Sequence, residues 1–224
     1  LAGKVTIFEE TTKNPITLIG KMAGICYGSD VESDMKNYQR GVRCIRDGHN
    51  RVLEYPQVFM KLEDISCRVA REFYTHNGGL PTRLQESTRY VNMKGFNYYT
   101  PSGISQDENA LDVYNATMDE INKAYCYLVA CGISKEDAAN LLPLGTNTVL
   151  SVRGNARWLA DMAKQRLCSR ALPEYRSLMR EIIRELSHYS SEWTTLCQLI
   201  FMCKCDETEY CLESQSCGRY PKKI

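Results

Sequence analysis

An α+β fold, built as a mixed sheet with several long helices, is predicted by three observations on the sequence. Two short stretches alternate apolar and polar residues with a period of two. Much of the second half repeats its apolar residues at helical spacing instead. Strands and helices do not alternate regularly along the chain, which argues against a doubly wound sheet. With 224 residues, 43% of them hydrophobic, the chain is long enough to bury a substantial core as one domain with a small appendage.

The first strand is KVTIFEE (4–10), which alternates. NPITLIGKMAGICYG then begins a helix, with Asn14 as cap and Pro15 at the first helical position. A second helix is expected from Ser33 to Asp47, with Met35, Tyr38, Val42 and Ile45 inward and Gly48 at its end. GHNRVLEYP (48–56) reads as a loop and short turn. QVFMKLEDI (57–65) sets Val58, Met60 and Leu62 against Lys61 and Glu63, as a strand does. Ile65, Val69 and Phe73 are spaced four apart and suit a helix running into the loop THNGGLPTR.

In 105–131, Ser105 and Glu108 form a capping-box pattern ahead of Leu111, Tyr114, Met118, Ile121, Tyr125 and Leu128, and Gly132 ends that helix. Ser134 and Asp137 start a short helix that Pro143 stops. Helices over about 148–167 and 173–189 follow, the last opened by Pro173. The sequence has no internal repeat and no low-complexity segment.

The formal net charge of +1 supplies no general attraction to a nucleic-acid polymer or an anionic membrane, so an anionic ligand must be held by local arginines. No apolar run approaches the length of a membrane span, and LAGKVTIFEE lacks a signal-peptide core. A soluble, cytoplasmic protein is expected, and the lack of an initial Met suggests a true start that was trimmed or lost. Of the 11 cysteines, Cys26, Cys44, Cys67, Cys126, Cys131, Cys168 and Cys197 are scattered, and Cys203, Cys205, Cys211 and Cys217 crowd the tail. The odd count favours reduced thiols over a disulfide scaffold. The tail spacings do not form a paired CxxC pattern, so no metal ligands are assigned, although a zinc site there stays open as an alternative.

The chemistry centres on TRLQESTRYVNM (82–93). Arg83 and Arg89 supply forked donors suited to a phosphate, and Ser87 with neighbouring backbone N–H groups completes an anion cradle. The plainer alternative is a charged join between loop and strand.

LQESTRYVNM also resembles the core motif of the flavin-dependent thymidylate synthases, in which a serine followed by x-Arg-Tyr closes the nucleotide site. Further segments agree in order and approximate spacing over roughly residues 15–190. GHNRVLEYPQVFMKLEDISCRVAREF is similar to the family's Gly-His segment, strand and helix. GISKEDAANLLPLGTNT is similar to its Leu-Pro-Leu helix end, GNARWLADMAKQRL to its Asn-Ala-Arg helix, and PEYR to its Glu-Ile-Arg.

The resemblance implies a homotetramer whose active sites lie at subunit interfaces, with a catalytic domain over 1–195 and a cysteine-rich tail over 196–224. It implies reductive methylation of dUMP to dTMP, with FAD as redox cofactor, methylenetetrahydrofolate as carbon donor and NADPH as reductant. No cysteine nucleophile is needed in that family. Arg176 corresponds to the arginine that contacts the uracil ring, where a guanidinium stabilises charge developing on the pyrimidine. Ser87 and Arg89 correspond to the phosphate-holding residues, with Glu72, Gln85 and Glu86 beside the substrate. His49, Arg51, Glu54, His76, Asn77, Arg83 and Arg166 fall at flavin-contacting positions. Each has a structural alternative: a packing or capping role for the histidines, a helix C-terminal cation for Arg166, a solvated helix face for Arg176.

Three departures bear on function. Where the family has Arg-His-Arg, this chain has Thr75-His76-Asn77, in a somewhat longer loop. Glu72 replaces a glutamine, and Val149 replaces the arginine that reaches the nucleotide phosphate of a neighbouring subunit. Each lost charge-assisted contact costs about 1.5–3 kcal/mol, so uncompensated losses would abolish useful binding. Arg83, Arg51 and Arg153 are the candidate compensators, and Glu72 is expected to pair with Arg68 or Arg71. Two alternatives to the synthase remain: C5 modification of another pyrimidine nucleotide, and flavin or nucleotide binding without turnover.

Overall fold

The computed structural model describes residues 3–78 and 80–223. Its centre is a four-stranded sheet in the order β1-β2-β4-β3, with β1 at Lys4–Ile7, β2 at Gln57–Ser66, β3 at Thr82–Gln85 and β4 at Asn147–Asn155. All three pairings are antiparallel, where a mixed sheet was expected. The region from 148 is also not the start of a helix. Thr148, Leu150, Val152 and Gly154 point inward in alternation, and the strand sits between β2 and β3. Only at Ala156–Arg166 does the helix α7 begin, after Asn155 accepts the Trp158 N–H at 2.9 Å.

The other helices are α1 at Pro15–Cys26, α2 at Asp34–Arg46, α3 at Cys67–Phe73, the short α4 at Ser102–Ser105, α5 at Glu108–Ala130, α6 at Lys135–Ala138, α8 at Pro173–Tyr189, α9 at Ser191–Ile200 and α10 at Lys204–Thr208. A 3-10 turn at Asn50–Glu54 precedes β2. Asn14 and Pro15 open α1 as the sequence suggests, though the Asn14 side chain makes no capping bond. Asp107 rather than Ser105 caps α5, accepting the Ala110 N–H at 3.0 Å. The expected stripe along α5 holds: Met118 and Tyr125 are buried and Leu111, Tyr114, Ile121 and Leu128 half-buried.

In α2 the inward face is centred on Asn37, Gly41 and Cys44, and Met35 is exposed. The cause is a close crossing of α1 and α2. A Cβ on Gly41 would lie 2.1 Å from the Ile16 carbonyl oxygen, and one on Gly20 would lie 1.7 Å from that of Asn37. With that face turned to α1, Met35 lies about half a turn round the helix from it and faces outward, while Tyr38, Val42 and Ile45 are half-buried against the core as expected.

The main core is formed by the sheet with α1, α7, α8 and α9, and includes Val58, Met60, Leu62, Leu150, Trp158, Leu178 and Trp193. A smaller cluster of Met93, Tyr125 and Ala138 lies under α5. One irregularity of β2 positions the site. Its register against β4 shifts between Leu62 and Ile65, with Asp64 at φ 54, so one extra residue is accommodated as a bulge. Beyond it, Ser66 caps α3.

Candidate functional site

The bulge aims Ser66 at the start of α8. Its backbone N–H and hydroxyl donate to the two carboxylate oxygens of Glu174 at 2.7 and 2.6 Å. Burial pushes the Glu174 carboxyl above the usual carboxylate range, against the opposing pull of these bonds. This clamp fixes α3 against the Pro-Glu-Tyr-Arg turn that carries Tyr175 and Arg176.

Next to it, α3 and α7 bring together Glu72, His76 and Arg166. Arg166 donates through Nε to His76 Nε2 at 2.9 Å and through a terminal nitrogen to Glu72 at 2.8 Å. Its guanidinium lies 4.5 Å from the centre of the Tyr175 ring, a cation–π contact on a fully buried phenol. Glu72 therefore pairs with Arg166, not with Arg68 or Arg71. The fork of Arg166 reaches across from the end of α7, and the pair is only partly exposed.

Burial lowers the His76 pKa to about 4, helped by the nearby charges of Arg166 and Arg83. The ring is neutral at pH 7, and because Nε2 accepts, its proton sits on Nδ1. The His76 carbonyl is held from two sides, by Trp158 Nε1 at 2.9 Å and by Arg83 at 3.0 Å.

Arg83 is committed to the protein. It donates to the Phe73 carbonyl at 2.8 Å and to Asn77 Oδ1 at 2.7 Å, and it stacks 4.7 Å from the Tyr74 ring centre. Its role is to close the end of α3 where the chain turns outward. Thr75 is exposed and donates its hydroxyl to the Glu72 carbonyl at 2.6 Å.

The stretch 82–93 forms the join between strand and loop that the plainer reading of its sequence describes. Residues 82–85 form the edge strand β3, with Gln85 reaching Thr148, and the chain then turns, Arg89 N–H donating to Ser87 Oγ at 3.3 Å. Glu86 donates its N–H to the Val149 carbonyl at 2.9 Å. Arg89 is exposed and pairs with Glu136 at 2.9 Å. Within one chain, Arg83 of this stretch joins the His76 cluster, and Gln85 reaches Cys67 Sγ at the start of α3 at 3.8 Å. A third group lies at the 3-10 turn: His49 precedes it, Arg51 lies 3.7 Å from Glu54, and Arg157 binds Glu54 at 2.6 Å.

Arg176 donates to the Ser169 carbonyl at 2.7 Å and has no acidic partner among the described residues. Together with Arg166 it lines a cavity of about 760 Å³ between the α7–α8 turn and the tail. The sequence reading missed Tyr175, the Ser66–Glu174 clamp and Arg157. The quoted PEYR and GNARWL motifs contain Glu174, Tyr175 and Arg157, and they were the available signal.

All 11 cysteines are free thiols, with the Cys203 and Cys205 sulfurs 3.5 Å apart. Among the described residues no three His, Cys, Asp or Glu side chains converge as a metal site, and no helix is long and apolar enough to cross a membrane.

The structure resembles the crystal structure of the flavin-dependent thymidylate synthase ThyX from Helicobacter pylori complexed with FAD and dUMP. The TM-score is 0.68 at 19% identity, over 86% of this chain and 99% of that one. In sequence the chain is 29% identical to the flavin-dependent thymidylate synthase of Geobacter sulfurreducens, over 81% of each protein. It is 24% identical to that of Nitratidesulfovibrio vulgaris, over 94% of this chain and 92% of the relative. The family Thy1, thymidylate synthase complementing protein, matches residues 8–189. A match over that much of the chain, joined to the shared fold, places this protein in the flavin-dependent thymidylate synthase family.

Proposed function

We propose that this chain methylates dUMP to dTMP, taking the carbon from methylenetetrahydrofolate and electrons from NADPH through FAD. The observation that carries the reading is the placement of Arg176, a guanidinium without an acidic partner beside the fixed Arg166–His76 pair. An uncompensated cation on a rigid helix start is suited to stabilise negative charge on a bound pyrimidine. The donor set suits a flavin as well: neutral His76, the Arg166 face on Tyr175, and the charged turn of Arg51, Glu54 and Arg157 offer planar and polar contacts. When bound, FAD supplies the redox step. His49, Asn77 and Arg83 support that site, Arg83 by holding the loop rather than by meeting the ligand.

Ser87, Arg89, Gln85 and Glu86 form the nucleotide edge in this reading. In this reading the site is completed by a second copy of the chain in a homotetramer. Glu72 acts by orienting Arg166. The catalytic domain runs on through α9 to Phe201, past the boundary expected at 195, because Leu196, Cys197, Ile200 and Phe201 pack in the main core, and the cysteine-rich tail follows it in a cytoplasmic enzyme.

Val149 motivates a second reading, C5 modification of a different pyrimidine nucleotide. A substrate panel separates the two: purified, FAD-reconstituted protein is incubated with dUMP, UMP or dCMP, plus the folate and NADPH, at low oxygen. A methylated product from dUMP alone supports the synthase. Product from UMP or dCMP alone would transfer the assignment to that nucleotide.

A further inference from the structure

The tail brings together thiols that the proposed chemistry does not use. Cys168, Cys203, Cys205, Cys211 and Cys217 all line the cavity between the α7–α8 turn and the tail. One pair among them is in contact, with Cys205 Sγ donating to Cys203 Sγ at 3.5 Å. Only Lys204 separates the two in sequence. Cys203 has an extended backbone and Cys205 lies within α10, and this change of conformation turns both side chains together. Cys203 is buried and Cys205 half-buried, so Cys205 is the thiol a reagent meets first. Burial pushes the Cys203 and Cys168 thiols up, which makes them poor first nucleophiles. Cys168 is set against Cys203, but no three ligands converge among the described residues, so the contact is that of a dithiol rather than of a metal centre.

The same pair anchors the tail. The Cys203 sulfur accepts the Asp206 N–H, and the Cys203 N–H donates to Asp206 Oδ2 at 3.0 Å, the reciprocal bonds that start α10. From α10, Glu207 holds Lys164 of α7 at 2.9 Å and Asp206 holds Arg219 at 2.6 Å. Lysines and arginines dominate the cavity wall, with Glu213 its one acid among the described residues, so an anionic reagent is drawn toward the thiols.

We infer that Cys203 and Cys205 are a redox-active dithiol, oxidised by a small-molecule disulfide, and that closing the bridge releases the start of α10 from its cap. The Cys205 thiolate attacks one sulfur of the disulfide, forming a mixed disulfide and expelling one thiolate. The Cys203 sulfur then displaces the second, leaving the bridge between Cys203 and Cys205. Two protein thiols lose two electrons and two protons, which the reagent gains as two free thiols. The sulfurs must close from 3.5 Å to about 2.05 Å, which draws Cys203 Sγ off the Asp206 N–H. This inference is independent of dUMP turnover.

The test equilibrates the full chain with glutathione disulfide, followed by alkylation, trypsin digestion and mass spectrometry. Cleavage after Lys204 separates the two cysteines, so the bridge joins two peptides and their fragmentation places it. The expected result is a Cys203–Cys205 bridge in most molecules, opened by excess dithiothreitol. Amide exchange over Lys204–Thr208 should be about fivefold to tenfold faster in the oxidised form, as loss of a cap implies. Cys203→Ser keeps a capping oxygen, so it should melt with the wild type and trap the mixed disulfide on Cys205. Cys168→Ser should bridge as the wild type does.

A pair left reduced, a bridge from Cys203 to Cys168, or unchanged exchange on bridging would each overturn the inference. So would a wild-type mixed disulfide on Cys205 that Cys203 does not resolve. Protection of both thiols from alkylation by one equivalent of zinc would also overturn it, and would assign the tail to a metal.

Discussion

Arg166 and His76 are 90 residues apart in sequence, yet Nε of one donates to Nε2 of the other at 2.9 Å. That bond requires an unprotonated acceptor, and burial supplies it by lowering the His76 pKa to about 4. The folded protein therefore resists a proton that an unfolded histidine accepts near its ordinary value of 6.5.

The sign of the resulting pH dependence follows. Below pH 6.5 the unfolded state binds the proton and the folded state does not, so stability falls as pH drops toward 4. Below that, both states are protonated and the loss is complete. Discounted for the half-buried ring, the effect is about 1–2 kcal/mol. Urea unfolding at pH 7 and pH 4.5 should show a smaller difference for His76→Gln than for wild type. Equal differences would show that the ring is not held neutral.

Arg83→Ala removes a guanidinium that ties two carbonyls and Asn77. The expected cost is about 2 kcal/mol of stability, with faster amide exchange over the loop that follows α3. Arg83→Lys should recover little, since one ammonium cannot reproduce the fork. Wild-type exchange and stability in Arg83→Ala would remove its role in closing the loop.

Substituting Arg176 probes chemistry rather than folding. Its bond to the Ser169 carbonyl is exposed, so Arg176→Ala should fold and retain FAD, seen by absorbance, while dTMP formation falls by at least about a hundredfold. Full activity in this variant would reassign the uracil contact to another residue.

Gly41→Ala tests the α1–α2 crossing. The new methyl would meet the Ile16 carbonyl, so the helices must separate, at a cost of about 2–3 kcal/mol by denaturant titration. A neutral effect would mean that the crossing is looser than the structure describes.

These relationships differ in how visible they were in the sequence. The stripe of α5, the β2 alternation and the Pro-started α1 and α8 were legible because each is a local pattern read by one face of the core. Strand β4 was not, since it passes directly into α7 and the only stop between them is the Asn155 cap. Its alternation of Thr148, Leu150 and Val152 was the missed cue. Met35 was misplaced because hydrophobic spacing does not reveal that Gly20 and Gly41 bring two backbones together. The pairing of Glu72 with Arg166 had no local signal, because it joins α3 to the end of α7. The resemblance pointed to Glu72, His76 and Arg166, which the fold brings together, but only packing shows that Arg83 holds the loop.

The most direct measurement follows an isotopically labelled methylene carbon from methylenetetrahydrofolate into product, with FAD-loaded protein, dUMP and NADPH at low oxygen. The account predicts label in the methyl group of dTMP, lost when dUMP, the folate or NADPH is omitted. Protein that holds FAD and dUMP yet transfers no label would contradict it.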